Sequence, residues 1–156
     1  MGEILLAADD EGLTGLWFKE NQKHLGLGLS ENAVECDLPV FEDAARWLDI
    51  YFSGRDPGFT PRLHLTGSAF RNRVAEIMLE IPYGKTVTYG EIAGRIACER
   101  GTERMSCRAV GGAVGKNPIS LIVPCHRVIG RDGSLTGYGG GLERKAALLR
   151  MEKAIK

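Results

Sequence analysis

This chain is poor in cysteine, histidine and long apolar runs, and each shortage removes a class of protein from consideration. Its four cysteines, Cys36, Cys98, Cys107 and Cys125, make no C-x-x-C pair, and no secretory signal precedes them, so a disulfide framework is not expected. The three histidines, His24, His64 and His126, do not fall at ligand spacing with the cysteines, so no metal site is expected. No apolar stretch approaches the ~20 residues of a membrane span. The opening Met1-Gly2-Glu3-Ile4-Leu5-Leu6 lacks the basic head of a signal peptide. The expectation is a soluble, cytoplasmic protein with no membrane partner.

Net charge is also missing, but only in the sum. Residues 1–66 carry 12 acidic and 5 basic side chains, a net of −7, whereas residues 67–156 carry 8 and 15, a net of +7. Such a division points the second half at a polyanion; two ordinary domains of uneven surface composition would give the same numbers. A chain of 156 residues is enough for one or two small domains with a hydrophobic core.

What is present is well punctuated. Glu3–Ala8 and Leu13–Lys19 read as strands around the turn Asp9-Asp10-Glu11-Gly12. From Val40 to Phe52, Phe41, Ala44, Ala45, Trp47, Leu48, Tyr51 and Phe52 give a helical stripe. A breaker-rich loop follows (Gly54 to Pro61), then a short strand over Leu63–Thr66. Ser68 is an N-cap for a helix carrying Phe70, Val74, Ile77, Met78 and Ile81, stopped by Pro82-Tyr83-Gly84. Thr88-Tyr89-Gly90-Glu91 has the form of a capping box. Its helix runs to about Cys98, and another starts near Ser106; two short helices with a polar connection have helix-turn-helix character. Ile119–Val123 reads as a buried strand leading to Cys125. Val128–Gly130 and Ser134–Thr136 around Arg131-Asp132-Gly133 read as a hairpin or wing, and Gly141–Ala154 as the last helix.

Two features can carry chemistry. Cys125 lies between Pro124 and His126 with Arg127 next in line; a thiol reacts as thiolate, which a neighbouring imidazole or cation favours. A Cys-His dipeptide alone is more often the mark of an inert buried cysteine. The other three cysteines have no such setting and read as structural. Second, Arg108-Ala109-Val110-Gly111-Gly112-Ala113-Val114-Gly115 is a poor helix by propensity. Its small surface admits either a tightly packed helix or a DNA groove, and it lacks the Lys-Ser/Thr ending of a phosphate loop.

Taken in order, Thr88-Tyr89-Gly90-Glu91-Ile92-Ala93, Arg108 to Ala113, Asn117-Pro118, Pro124-Cys125-His126-Arg127-Val128-Ile129-Gly130, Gly137-Tyr138-Gly139-Gly140-Gly141-Leu142 and a terminal Glu152 closely resemble the O6-alkylguanine-DNA alkyltransferases. The likeness is strong over residues 66–154 and weaker before them. It implies an α+β protein: a small ribonuclease H-like α/β domain over residues 1–65, then a mostly helical, winged-helix-like DNA-binding domain over residues 66–156. It also implies one-way transfer of a methyl or other alkyl group from O6-alkylguanine in double-stranded DNA to Cys125, without a cofactor, by a monomer that acts once. The related damage sensors have tryptophan where Cys125 stands, which argues against mere lesion binding.

The same resemblance assigns roles. His126 matches the base that takes the thiol proton through a water, Glu152 the carboxylate that orients it, and Asn117 the residue ordering the approach to the cysteine. Tyr89, Arg108, Tyr138, Val128 and Gly139 match substrate contacts; Arg108 would fill the space of the extruded base. Arg71, Ala109, Gly112, Ala113 and Arg131 are expected on the DNA. Gly139 stands where many relatives carry a larger residue, which implies a wider pocket. The connection Glu99–Met105 is longer than in compact relatives.

Overall fold

The computed structural model describes residues 1–156. The N-terminal strands are β1 (Ile4–Ala8) and β2 (Leu13–Phe18), paired antiparallel with Leu6 opposite Leu16. Their turn is closed by Asp9, whose carboxylate accepts from the amides of Glu11 (2.9 Å) and Gly12 (3.2 Å). Helix α1 (Pro39–Phe52) begins with proline at a position where the missing amide costs nothing. It turns Ala44, Trp47 and Tyr51, spaced as one helical face, onto the sheet.

The expected strand at Leu63–Thr66 shrinks to one bridge between Leu13 and Leu63. Beyond it the Asn72 side chain takes over the backbone, donating to the Leu65 carbonyl (3.0 Å) and accepting from the Gly67 amide (3.0 Å). Those bonds turn the chain into α2 (Ala69–Leu79), which Ser68 caps through the Arg71 amide.

Helix α3 (Tyr89–Arg100) carries the complete capping box. Glu91 N donates to Thr88 Oγ1 (3.1 Å), and Thr88 N donates to Glu91 Oε2 (2.6 Å). Gly101, at φ 65°, closes the helix in the left-handed conformation that a side chain disfavours. Helix α4 (Cys107–Gly115), capped by Ser106 (3.2 Å), packs on both α2 and α3. The last helix, α5 (Leu142–Met151), ends three residues before the expected limit and leaves Glu152 as its cap.

Two further expectations are corrected. Ile119–Val123 is buried but is not a strand: after one bridge to Leu16 it coils through tight turns, with Leu121 at φ 68°. Asn117 gathers this segment, its amide donating to the carbonyls of Ile119 (3.2 Å) and Val123 (2.9 Å) while its oxygen accepts from Ile119 N (3.0 Å). Side-chain bonds of this kind compete directly with a ladder. The hairpin is absent as well. β3 (Val87–Thr88) pairs in parallel with β4 (Val128–Ile129), while Ser134–Thr136 forms no strand. Gly130 to Ser134 is only a tight turn, and the Thr136 carbonyl is instead taken by Tyr89 and Lys145.

One core joins the two halves. Leu13, Leu16, Trp47 and Tyr51 cluster with Val74, Ile92, Val110, Val123 and Leu148, so the basic half is held against the acidic half by continuous apolar contact. No helix is long and apolar enough to cross a membrane. Replacing Thr88 with alanine removes one arm of the capping box that opens α3. A loss of about 1 kcal/mol, read as a fall of a few degrees in Tm, is expected, and an unchanged Tm would show that tertiary packing alone holds the start of α3.

Candidate active site

Cys125 opens a short 3-10 turn, Cys125–Arg127, placed between the coiled Ile119–Val123 segment and β4. The turn sends three consecutive side chains inward, and all three are buried. Here the cysteine differs from Cys36, Cys98 and Cys107, which are exposed. Burial pushes the Cys125 thiol above its ordinary value, opposed by a hydrogen bond from Asn117 and the charge of Lys145. A proton acceptor is therefore needed to make the thiolate.

An imidazole follows Cys125 in the chain. His126 is wholly buried and burial lowers its pKa, opposed by its hydrogen bond and charge interaction with Glu152. Its Nε2 lies 2.7 Å from Glu152 Oε1, while Nδ1 has no partner in the protein. A carboxylate can only accept here, so the neutral ring carries its proton on Nε2 and leaves a free lone pair on the buried Nδ1.

Glu152, at the end of α5, collects donors from four directions. Arg127 Nε reaches Oε2 (2.9 Å) and Arg127 Nη2 reaches Oε1 (3.0 Å); Tyr51 Oη donates to Oε1 (2.6 Å) and Gly84 N to Oε2 (3.2 Å). Against the upward push of burial, the bonds from His126 and Arg127 hold its pKa at about 2. Arg127 is fixed in turn by the Ile81 carbonyl (2.7 Å).

The structure brings some expected residues to this centre and sets others apart. Tyr138 is buried beside His126, ring centroids 6.5 Å apart, and its hydroxyl has no partner. Tyr89 donates to the Thr136 carbonyl (2.9 Å), and a Cβ at Gly137 would come within 3.2 Å of that hydroxyl. Arg108, Ala109 and Gly112 share the exposed face of α4, and Arg131 is exposed on its turn. Arg71 lines a cavity of about 90 Å³ with Asn72, Lys116 and Asn117.

One expectation needs correcting. Ala113 is buried with Val110 and Val114 on the inner face of α4, which faces α2 and α3, so its side chain is turned away from the exposed face of the helix. Val128 is enclosed; its backbone pairs with Val87 and its carbonyl accepts from Lys145 Nζ at 2.5 Å. Gly139 lines a pocket with Gly112, Gly137 and Tyr138, and a Cβ there would meet the end of the Gln22 side chain at 3.0 Å.

Two residues of the centre were missed in the sequence. Lys145 is fully buried, donates to the Val128 and Thr136 carbonyls, and is lowered to about 8 by burial. Its place on one helical face with Leu148, Leu149 and Glu152 was a readable signal. Tyr51 gave none, because a tyrosine in an apolar stripe reads simply as core.

Comparison with known proteins finds matches along the whole chain. A family model described as the DNA binding domain of 6-O-methylguanine DNA methyltransferase matches residues 69–154, and one described as its ribonuclease-like domain matches residues 1–65. The chain belongs to the 6-O-methylguanine DNA methyltransferase family. It is 45% identical over 152 residues to the methylated-DNA–protein-cysteine methyltransferase of Methanosarcina acetivorans, covering 97% of this chain and 92% of that one. It is 50% identical to the Mycobacterium leprae protein of the same name over 156 residues, covering 98% and 87%. The crystal structure of Mycobacterium tuberculosis OGT in complex with DNA superposes with a TM-score of 0.79 at 42% identity, covering 99% of this chain and 91% of that one. The fold is therefore the α+β arrangement of this methyltransferase family, a ribonuclease-like domain followed by a helical DNA-binding domain.

The buried charge network makes stability depend on acid in a defined way. The Glu152 carboxylate falls from an ordinary value near 4.5 to about 2, so its stabilisation is full above pH 4.5 and is lost as pH falls towards 2. His126, held neutral by burial, adds the same sign below about 6.5. Glu152→Gln leaves Arg127 buried without its counter-charge; a loss of about 3–5 kcal/mol is expected. Denaturant titrations between pH 7 and 3 should show a shallower acid dependence in the variant, and parallel curves would refute this assignment.

Proposed function

We propose that this chain repairs DNA by direct reversal, moving the alkyl group of O6-alkylguanine irreversibly to Cys125. The observation that carries the reading is the buried thiol followed in the chain by an imidazole whose Nδ1 is free and whose Nε2 is held by a carboxylate. This is the nucleophile, base and orienting group of an activated cysteine.

In this mechanism the thiol proton passes to His126 Nδ1 through one intervening water. The thiolate attacks the alkyl carbon; the carbon–sulfur bond forms as the carbon–oxygen bond to guanine breaks. Glu152 stabilises the imidazolium through Nε2. The departing guanine oxygen carries the displaced electron pair, and the unpartnered Tyr138 hydroxyl is a donor positioned to ease its departure. The thioether product has no route to hydrolysis, so each molecule reacts once.

The target atom lies within the base stack of a duplex, so the nucleotide must leave it. Arg108, exposed and in no ion pair, is assigned to the vacated space, and the face formed with Ala109 and Gly112 to the minor groove. Tyr89 is assigned to the phosphate beside the turned-out nucleotide, Asn117 to holding the segment that delivers Cys125, and Arg71 and Arg131 to the backbone. The division at residues 65 and 66 is proposed as the domain boundary, and residence in the cytoplasm as the setting.

Duplex DNA bearing a single O6-methylguanine should transfer one methyl to the protein, seen as a 14 Da gain mapped by peptide mass to Cys125, at about one per chain with no turnover. Cys125→Ala should bind the lesion and gain nothing. Methylation elsewhere would overturn the site, and no methylation the reaction. Arg108→Ala should keep the chemistry but slow transfer from duplex by about 10- to 100-fold while leaving transfer from single strands less affected, since unstacking costs a few kcal/mol; equal losses on both substrates would remove Arg108 from base extrusion.

A further inference from the structure

Tyr51 belongs to α1, in the acidic N-terminal half, yet its hydroxyl ends inside the catalytic relay of the other half. The side chain is completely buried, stacked on Trp47 (centroids 5.0 Å, 11° between planes) and edge-on to both Tyr83 and His126. Its hydroxyl donates to Glu152 Oε1 at 2.6 Å and lies 3.2 Å from His126 Nε2. His126 Nε2 addresses that same carboxylate oxygen at 2.7 Å. Packing alone would be served by phenylalanine; the hydroxyl is spent on one oxygen.

We propose that Tyr51 is a positioning residue for the alkyl transfer, its hydroxyl holding Glu152 Oε1 in line with His126 Nε2 and sharing that oxygen's charge. This rests on the relay proposed above. The hydroxyl's proton has one strong acceptor within reach, because His126 Nε2 already bears a hydrogen. With Tyr51, His126 and Arg127 all donating to Oε1, the carboxylate orients the imidazole without drawing a proton onto it permanently. A histidine too strongly paired with a carboxylate would be protonated near neutral pH and unable to receive the thiol proton.

Every charged or titratable group around the ring is accounted for. Glu152 and Lys145 come from α5, Arg127 and Cys125 from the ring's own turn, Tyr51 from α1, Tyr83 from the segment after α2, and Tyr138 from the segment before α5. Of these, Tyr51 alone is supplied by the N-terminal half and touches both members of the His126–Glu152 pair. The ribonuclease-like domain is thereby given a part in the chemistry.

The test is Tyr51→Phe, which keeps the ring and removes the hydroxyl. Single-turnover methyl transfer from O6-methylguanine duplex should be followed from pH 5.5 to 9, together with DNA affinity and Tm. Removing one donor from Oε1 strengthens its pull on the imidazole, so the acid limb of the rate profile should move to higher pH. The rate should fall by about 5- to 10-fold at pH 6.5, the shift expected of a group displaced by roughly one unit, and recover towards wild type at pH 9, with DNA affinity unchanged. NMR titration of the His126 ring in the free protein should show the same displacement and requires no alkyl transfer. An unmoved limb and unmoved titration, or a uniform loss at every pH, would overturn the proposal and leave Tyr51 as packing. Wild-type protein that transfers no methyl would overturn the repair reading instead, with the NMR comparison still deciding the role of Tyr51 in the relay.

Discussion

The buried meeting of Arg127 with Glu152 is the constraint on which the rest of this molecule depends. Two full charges withdrawn from water are costly unless each is matched in geometry and number. Here five hydrogen bonds converge on the two oxygens of one carboxylate, from Tyr51, Gly84, His126 and twice from Arg127. Those donors come from α1, the segment following α2 and the 3-10 turn, and the acceptor from the end of α5. The network works as a clasp across four parts of the chain, and the orientation of His126 is its consequence.

In the proposed mechanism that clasp explains how a reactive cysteine can sit in a closed interior. Cys125 is 6% exposed, and its surroundings favour the thiol over the thiolate. A thiol kept protonated is protected from indiscriminate oxidation and alkylation. On the proposed reading the neighbouring His126, neutral and with Nδ1 unpartnered, supplies the means of deprotonation. Lys145, buried beside it and bonded to the Val128 and Thr136 carbonyls, ties the strand after the cysteine to the segment carrying Tyr138. Storage and reactivity are set by the same few contacts.

The α4 surface obeys a separate logic. Its inner face, Val110, Ala113 and Val114, closes the core against α2 and α3, and its outer face, Arg108, Ala109 and Gly112, is small and exposed. A helix this short is stabilised by its packed face more than by propensity, which frees the outer face to dispense with side chains. The glycines that weaken the helix leave a backbone surface that a DNA groove can approach.

Much of this was legible in the order of residues. The capping box at Thr88, the caps at Ser68 and Ser106 and the helical stripe of α1 rest on contacts a few residues apart, so local sequence carried them. The linear grouping of Pro124-Cys125-His126-Arg127, Asn117, Tyr138 and Glu152 likewise pointed to the family, because these blocks occur in order along the chain. Tertiary structure decided what depends on distant partners. Ile119–Val123 looked like a strand until Asn117 drew its carbonyls into a turn, and Ser134–Thr136 lost its pairing to Tyr89 and Lys145. Ala113 and Val128 were within the motif yet turn into the core, since a motif names residues and the packing of α4 and β4 chooses their direction. Tyr51 joined the relay from 75 residues away. No periodicity along the chain can announce such a contact, because a hydroxyl at the end of an apolar stripe acquires its meaning only when the two halves close on one core.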